Sequence, residues 1–499
     1  MLKVLPKYYN VYDRINIYYF NLRTFILVIC INLLGGIPME IKNALEKAAK
    51  QAIVNKVVDY LDKNPEKNVN KIFAAVKKLN KKDKVALEQI AVVEDYYNND
   101  ECKHKYIQDI LTNTDSKCLK KFFTNFFANA NWYAGPKKDK YLEKEDTKIP
   151  FVMLISPSMR CSLHCKGCYA SSYSKKDDIP QEEVDRIIKE ARDLGIYYVI
   201  VLGGEPFFND YLLDIYEKYN DMMFTPFTSG LLINEQVADR IKKCGNVIPM
   251  LSIEGFEKDT DDRRGKGTYK KVLKAMDMLN ERGILFGVSS AVTRTNIDTV
   301  LSDEFTDMLI EKGSKMSWYF LFMPVNGETI DFDMMLTAEQ RDYLGKRSRE
   351  IRATKPYFTI DFFNDAPYVG GCIAGKYYFH VNSREDVEPC IFSHFSTVNL
   401  KGRHLIDAFR DPFFKKLRAI QPYNKNMLRP CMMIDNTDVI IDVCKEVGAK
   451  PDDLGAEKML HDSEFHEKIT KTAEEFAPYA EKTWKEVFNE KGNDDFAKG

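Results

Sequence analysis

The sequence predicts an α/β fold built on a parallel sheet, with a helical region before it and a cysteine-bearing extension after it. Three observations predict this. From residue 150 to 330, short apolar runs alternate with amphipathic segments, as strands alternate with crossover helices. Two of the helical segments stop at glycines, Gly195 and Gly283, which supply the left-handed turn that ends a helix. Cysteines, glutamates and glycines gather just past the apolar runs, where parallel sheets bind ligands.

In chain order, residues 1–38 come first. The run Phe25-Ile-Leu-Val-Ile-Cys-Ile31 follows Lys3, Lys7, Arg14 and Arg23, as in a signal peptide or anchor. It falls short of the roughly 20 apolar residues that span a bilayer. Gly35-Gly36-Ile37-Pro38 precedes Met39, and two glycine codons can spell a ribosome-binding sequence. Met39 is therefore the expected start and 1–38 a translated leader, with a short hydrophobic segment as the competing reading. Residues 39–149 read as helices. Ile41, Leu45, Ala48, Ala52, Val57 and Leu61 fall on one face, and the pattern repeats over 69–79 and 85–97. Asp115-Ser116 can cap a further helix carrying Leu119, Phe122, Phe123, Phe126 and Phe127. That aromatic face is expected against the next domain, or else against a substrate or membrane. The charged stretch 135–147 reads as a linker.

Six strands are then expected, at 150–156, 197–202, 222–228, 247–253, 284–292 and 317–325. Helices are expected between them at 180–194, 234–244, 268–282 and 303–312.

The first strand runs into Cys161-Ser-Leu-His-Cys165-Lys-Gly-Cys168. Three thiolates in so short a loop can hold three irons of a [4Fe–4S] cube and leave the fourth open to a small ligand. On spacing alone, zinc or chance stays open. The second strand runs into Gly203-Gly204-Glu205-Pro206. Glycines there let a backbone approach a ligand closely, and Glu205 can take an ammonium. With both motifs in this order, the chain resembles the radical S-adenosylmethionine (SAM) enzymes. The resemblance implies a partial (β/α)6 barrel over 150–330. It implies that Cys161, Cys165 and Cys168 bind a [4Fe–4S] cluster whose open iron chelates SAM, with Gly203, Gly204, Glu205 and Pro206 at the methionine amino group. One residue departs from the family: the position before the third cysteine, usually aromatic, is Gly167, and Tyr169 stands one place after that cysteine.

The resemblance gives further roles to strand ends. Thr228-Ser-Gly230 resembles a TNG-type turn. Ser252 and Glu254 stand where ribose or carboxylate contacts are usual, and Ser290 and Arg294 where the SAM carboxylate is commonly held. For any one serine or threonine, a turn-capping hydrogen bond is the equal alternative. Arg263-Arg264 can grip a substrate phosphate or carboxylate, or pair with Asp261 and Asp262.

Past the barrel, 331–450 carries Cys372, Cys390 and Cys431, each after a glycine or proline turn or close to one. Eighteen residues from Cys372 to Cys390 are too wide for an ordinary zinc knuckle. The segment resembles a twitch or SPASM auxiliary-cluster domain, which implies one auxiliary iron–sulfur cluster. Cys444 is the candidate fourth ligand, against an open iron, His380, His394 or Asp435. The family pattern has glycine five places before the second cysteine, where this chain has Glu385. Buried unliganded thiols are the competing reading. Residues 451–499 read as a charged amphipathic tail that packs on the barrel or covers its mouth.

With Lys+Arg at 73 and Asp+Glu at 74, nothing argues for nucleic acid. Eleven irregularly spaced cysteines in 499 residues fit a reducing cytoplasm better than a disulfide scaffold. No transmembrane span is expected. The resemblance implies reductive cleavage of SAM to a 5′-deoxyadenosyl radical that abstracts hydrogen from a substrate, with flavodoxin or ferredoxin as electron donor. The expected substrate is a peptide or protein, as in a maturase; a lipid or isoprenoid chain is the alternative, and a non-catalytic iron–sulfur redox protein a third reading. A long apolar tunnel at the barrel mouth favours lipid, and a polar open groove favours peptide.

Overall fold

Seven strands follow one another in chain order across one parallel sheet: β1 (Val152–Ile155), β2 (Tyr198–Val201), β3 (Met223–Thr228), β4 (Met250–Ser252), β5 (Gly287–Val292), β6 (Met316–Leu321) and β7 (Phe358–Asp361). The computed structural model describes residues 52–488 except 53, 62, 80–83, 171–173, 175–176 and 326–330. The apolar run at 25–31 and the start at Met39 expected from sequence lie outside them. The six expected strands are all present, but the sheet has nine. β7 adds beyond β6 after the helix Ala338–Thr354, and β8 (Tyr378–Val381) returns to pair in parallel with the free edge of β1. β9 (Val387–Glu388) closes that side antiparallel to β8. The order is β7-β6-β5-β4-β3-β2-β1-β8-β9, so β7 and β9 do not meet and the sheet is open.

The crossover helices form for local reasons. Gln181–Leu194 buries Val184, Ile187, Ile188, Ala191 and Leu194, the i, i+3, i+4 spacing of one helical face. It ends at Gly195 with φ +91°. Asn234 caps the helix Glu235–Cys244 by accepting from Val237 N–H. Thr337 and Gln340 form a capping box on Ala338–Thr354.

The region before the sheet corrects one expectation. Residues 135–147 are no linker, because Gly135–Glu145 is a helix with proline in its first turn, where its missing N–H costs nothing. The aromatic face does pack on the sheet domain. Asp115 caps Ser116–Lys121, which leads into a wider helix, Phe122–Tyr133. Phe126 meets Phe151 and Tyr198 edge-on at 5.9 and 5.2 Å. Buried Asn125 and Asn129 donate to the carbonyls of Met222 and Asp221, both at 2.9 Å. The tail helix Ser463–Thr483 also packs on the domain, with Phe465 against Phe332 at 5.5 Å. Among the described residues, no helix is long and apolar enough to cross a membrane.

Candidate active site

A cavity of about 690 Å³ opens at the carboxyl ends of β1–β6. Cys161, Cys165 and Cys168 line it, as do Gly203 and Gly204. The glycines hold the cysteine loop down. Gly204 N–H donates to Ser158 O at 2.9 Å, and Glu205 N–H donates to Arg160 O at 2.8 Å. A Cβ on Gly203 would sit 2.2 Å from Ser158 O, and one on Gly204 2.3 Å from Arg160 O. Only glycine permits that approach.

Glu205 is buried beside the lining residues Gly204 and Ser229. Its carboxylate is buried and accepts from Thr228 Oγ1 at 2.6 Å, Ser229 N at 2.9 Å and Ser229 Oγ at 2.5 Å. It joins the end of β3 to the end of β2. Pro206 is buried at the start of a short 3₁₀ turn. Ser229, the middle residue of the Thr228-Ser-Gly230 turn, lines the cavity.

Glu254 is likewise occupied. Arg263 Nη1 lies 2.5 Å and Arg264 Nε 2.7 Å from its Oε1, and Ala291 N–H donates to Oε2 at 3.0 Å. Burial works against the charge, but Arg263 and Arg264 outweigh it and hold the carboxyl below its usual range. The arginines therefore pair with Glu254 rather than with Asp261, which caps Gly267 and Tyr269 N–H. Both arginines line the cavity, and Lys166 N–H donates to Arg263 O at 3.0 Å, tying the cysteine loop to the helix Glu257–Arg264 that follows β4. Ser252 and Ser290 line the cavity, the latter donating to Ile253 O. Arg294 stands apart: it donates to Met335 O and pairs with Asp333 at 3.9 Å.

Gly167 has φ +64°, and a Cβ there would fall 2.3 Å from Phe322 Cε2. The ring of Phe322, from the end of β6, covers the place a larger residue would take. β6 alternates: Trp318 and Phe320 line the cavity, while Ser317 and Tyr319 are buried between them, and Leu321, buried at the strand end, reaches the cavity as well. Trp318 stacks on Phe320 at 5.6 Å, and Phe227 and Phe362 complete the wall. That alternation was the signal in the sequence that could have revealed these rings.

The second cysteine set also converges. Cys431 lies where the charges of Cys372 and Cys390 reach it, and Tyr378 and Tyr423 sense all three. Burial pushes the thiols up, Cys372 to about 12 and Cys390 to about 11. Cys390 Sγ accepts from Phe392 N–H at 3.4 Å and Cys431 Sγ from Met433 N–H at 3.3 Å; Ala374 N–H does the same for Cys372. Cys161 shows this i+2 turn too, with Leu163 N–H at 3.4 Å. Donors aimed at sulfur favour thiolate, the form that binds metal.

Of the other candidates only Asp435 lies beside that group, accepting from Cys431 N–H at 3.1 Å. Cys444 is buried in the helix Thr437–Val447 with Asp452 as its charged neighbour. Asp435 takes both guanidinium nitrogens of Arg341 at 2.6 and 2.9 Å. His380 and His394 face Glu388 at 2.6 and 3.6 Å. Burial opposes the Glu388 charge, but the two histidines hold its carboxyl far below the usual range. Glu385 has φ +72°, so the backbone there has the left-handed form that glycine favours. Among the described residues no three His, Cys, Asp or Glu side chains converge as ligands of a single ion. A cube distributes its thiolates over separate irons, and both three-thiol sets fit that donor chemistry.

Residues 155–303 match the Radical SAM superfamily. The chain is 24% identical to the Fe-coproporphyrin III synthase of Methanosarcina barkeri over 230 residues, 44% of this chain and 57% of that enzyme. It is 23% identical to the AdoMet-dependent heme synthase of Nitratidesulfovibrio vulgaris over 295 residues, 53% of this chain and 80% of that enzyme. Among solved structures, SuiB of Streptococcus suis bound to precursor peptide SuiA aligns with TM-score 0.49 and 20% identity, over 66% of this chain and 88% of SuiB.

Proposed function

From the premise that residues 155–303 are a radical SAM domain, we propose that the protein generates a 5′-deoxyadenosyl radical and uses it on a substrate whose reacting segment is apolar or aromatic. The carrying observation is that the three thiols and the aromatic wall share one cavity. A [4Fe–4S] cluster on Cys161, Cys165 and Cys168 would supply the electron that splits SAM into methionine and the radical. Gly203 and Gly204 hold the cysteine loop at the cavity, and Arg263 and Arg264 face it with positive charge. Val152, Leu154, Ile200, Phe227, Trp318 and Phe320 line the strand faces below and keep water from the radical. A peptide backbone would leave its polar groups unpaired against such a wall. An apolar peptide side chain, a lipid chain or the hydrocarbon edge of a tetrapyrrole would not. Cys372, Cys390 and Cys431 would hold an auxiliary cluster, and a low-potential donor such as flavodoxin or ferredoxin would reduce the enzyme in the cytoplasm.

The test is anaerobic reconstitution with iron and sulfide, addition of dithionite and SAM, and detection of 5′-deoxyadenosine by mass spectrometry. Product is expected from the wild type and lost in Cys165→Ala. Deuterated apolar and hydrophilic candidates then report label transfer into 5′-deoxyadenosine. Transfer only from hydrophilic substrates would overturn the apolar assignment. Absence of product from iron-replete protein with every candidate would overturn the activity.

A further inference from the structure

Ser156, His380 and Glu388 form a hydrogen-bonded chain that the proposed chemistry leaves unused. Ser156 Oγ lies 2.7 Å from His380 Nε2, and His380 Nδ1 lies 2.6 Å from Glu388 Oε2. The sequence of groups is that of a hydrolytic triad, but all three are fully buried, so no substrate reaches the serine. Beside it stands Tyr169, whose phenol feels the Ser156 hydroxyl. Gly203 N–H also points at that phenol, at 3.5 Å. Tyr169 directly follows Cys168, and it lines the cavity.

The same tyrosine touches the other cysteine set. Its ring meets Phe392 edge-on at 6.3 Å, and Phe392 N–H donates to Cys390 Sγ. Glu388, at the far end of the chain, stands two residues before Cys390. Two routes thus join the two cysteine loops, and both pass through Tyr169.

We propose that Ser156, His380 and Glu388 are positioning residues that seat Tyr169, and that through it the Cys390 segment sets the shape of the Cys161–Cys168 loop. The proposal rests on the reading of that loop as the SAM-site loop. The chain has one direction. The Glu388 carboxylate only accepts, so His380 Nδ1–H donates to it. With the imidazole neutral, Nε2 accepts from Ser156 Oγ–H, whose oxygen is left to accept from Tyr169. Each donor has one acceptor, and in a buried site such links support one another. Breaking any one link should free the loop as much as breaking two.

Hydrogen–deuterium exchange of the full reconstituted chain tests this, read on peptides covering 161–170 and 203–205. Tyr169→Phe and Ser156→Ala are each expected to raise exchange there about fivefold, the loss of one buried hydrogen bond. The double variant should do no more than either single, and peptides of β5 and β6 should not change. Glu388→Gln keeps an acceptor for His380 and should restore most of the protection that Glu388→Ala loses. Additive effects in the double variant, unchanged loop exchange, or an equal rise across β5 and β6 would each overturn the coupling. The same comparison on iron-free chain separates the two readings: a wild type that takes up no iron sinks the proposed activity, while the exchange data still decide the coupling.

Discussion

Gly204 is held in place by a carbonyl 2.3 Å from where its Cβ would be, and that carbonyl belongs to Arg160, the residue before Cys161. Alanine there must push the cysteine loop off the end of β2. Gly204→Ala is expected to lower iron content after reconstitution and to weaken SAM binding by at least about tenfold, a cost of roughly 1.4 kcal/mol. Iron assay and equilibrium dialysis check it; unchanged values would mean that the loop is held elsewhere. Glu385 is the opposite case, a side chain where the backbone wants none. A left-handed residue costs an L-amino acid roughly 1–2 kcal/mol. Glu385→Gly should therefore leave the Tm at or above that of the wild type, whereas Glu385→Val, β-branched at φ +72°, should lower it. A lower Tm for the glycine variant would show that the Glu385 side chain contributes more than its backbone costs.

At the scale of elements, the end of β4 and the following helix Glu257–Arg264 are joined by one carboxylate and two guanidiniums. Removing the carboxylate leaves two buried cations, so Glu254→Gln should cost about 3–5 kcal/mol in urea unfolding. The end of β7 behaves differently with pH. Asp361 is fully buried, and burial together with Asp365 raises its carboxyl to about 6. A free aspartate ionises near 3.9, so between those values the folded chain holds a proton that the unfolded chain has lost. Stability then falls as pH rises through that window, by about 3 kcal/mol. Asp361→Asn should remove this fall; a difference between the two proteins that does not change from pH 4 to 6 would refute it. The helices and strands around these sites were legible wherever a periodic face met a stop signal, as in 181–194 with Gly195. β7 and β8 were not, because four-residue runs such as Phe-Thr-Ile-Asp carry no period long enough to read. The helix at Gly135 was hidden by its own start, since a glycine–proline pair among charges also marks a loop.

The whole molecule is two cysteine sets on one sheet. The first was legible from three cysteines in eight residues, and the second less so, because Cys372, Cys390 and Cys431 are spread over sixty residues and three loops. The Ser156–His380 contact spans 224 residues and had no local signal at all. If the second set holds a cluster, its ligands must be the three thiols that carry N–H donors on sulfur, and Cys444 must be a core residue of its helix. Cys390→Ser and Cys431→Ser should each lower reconstituted iron by one cluster per chain, while Cys444→Ser should leave iron unchanged and reduce stability by about 1 kcal/mol through lost apolar packing. Iron and sulfide assays on the three variants, with Cys165→Ala for comparison, decide between the sets. Equal iron in the wild type and Cys390→Ser would leave these thiols as buried core groups. The protein would then have one cluster, and the electron released when a substrate radical is oxidised would have to return to the first site.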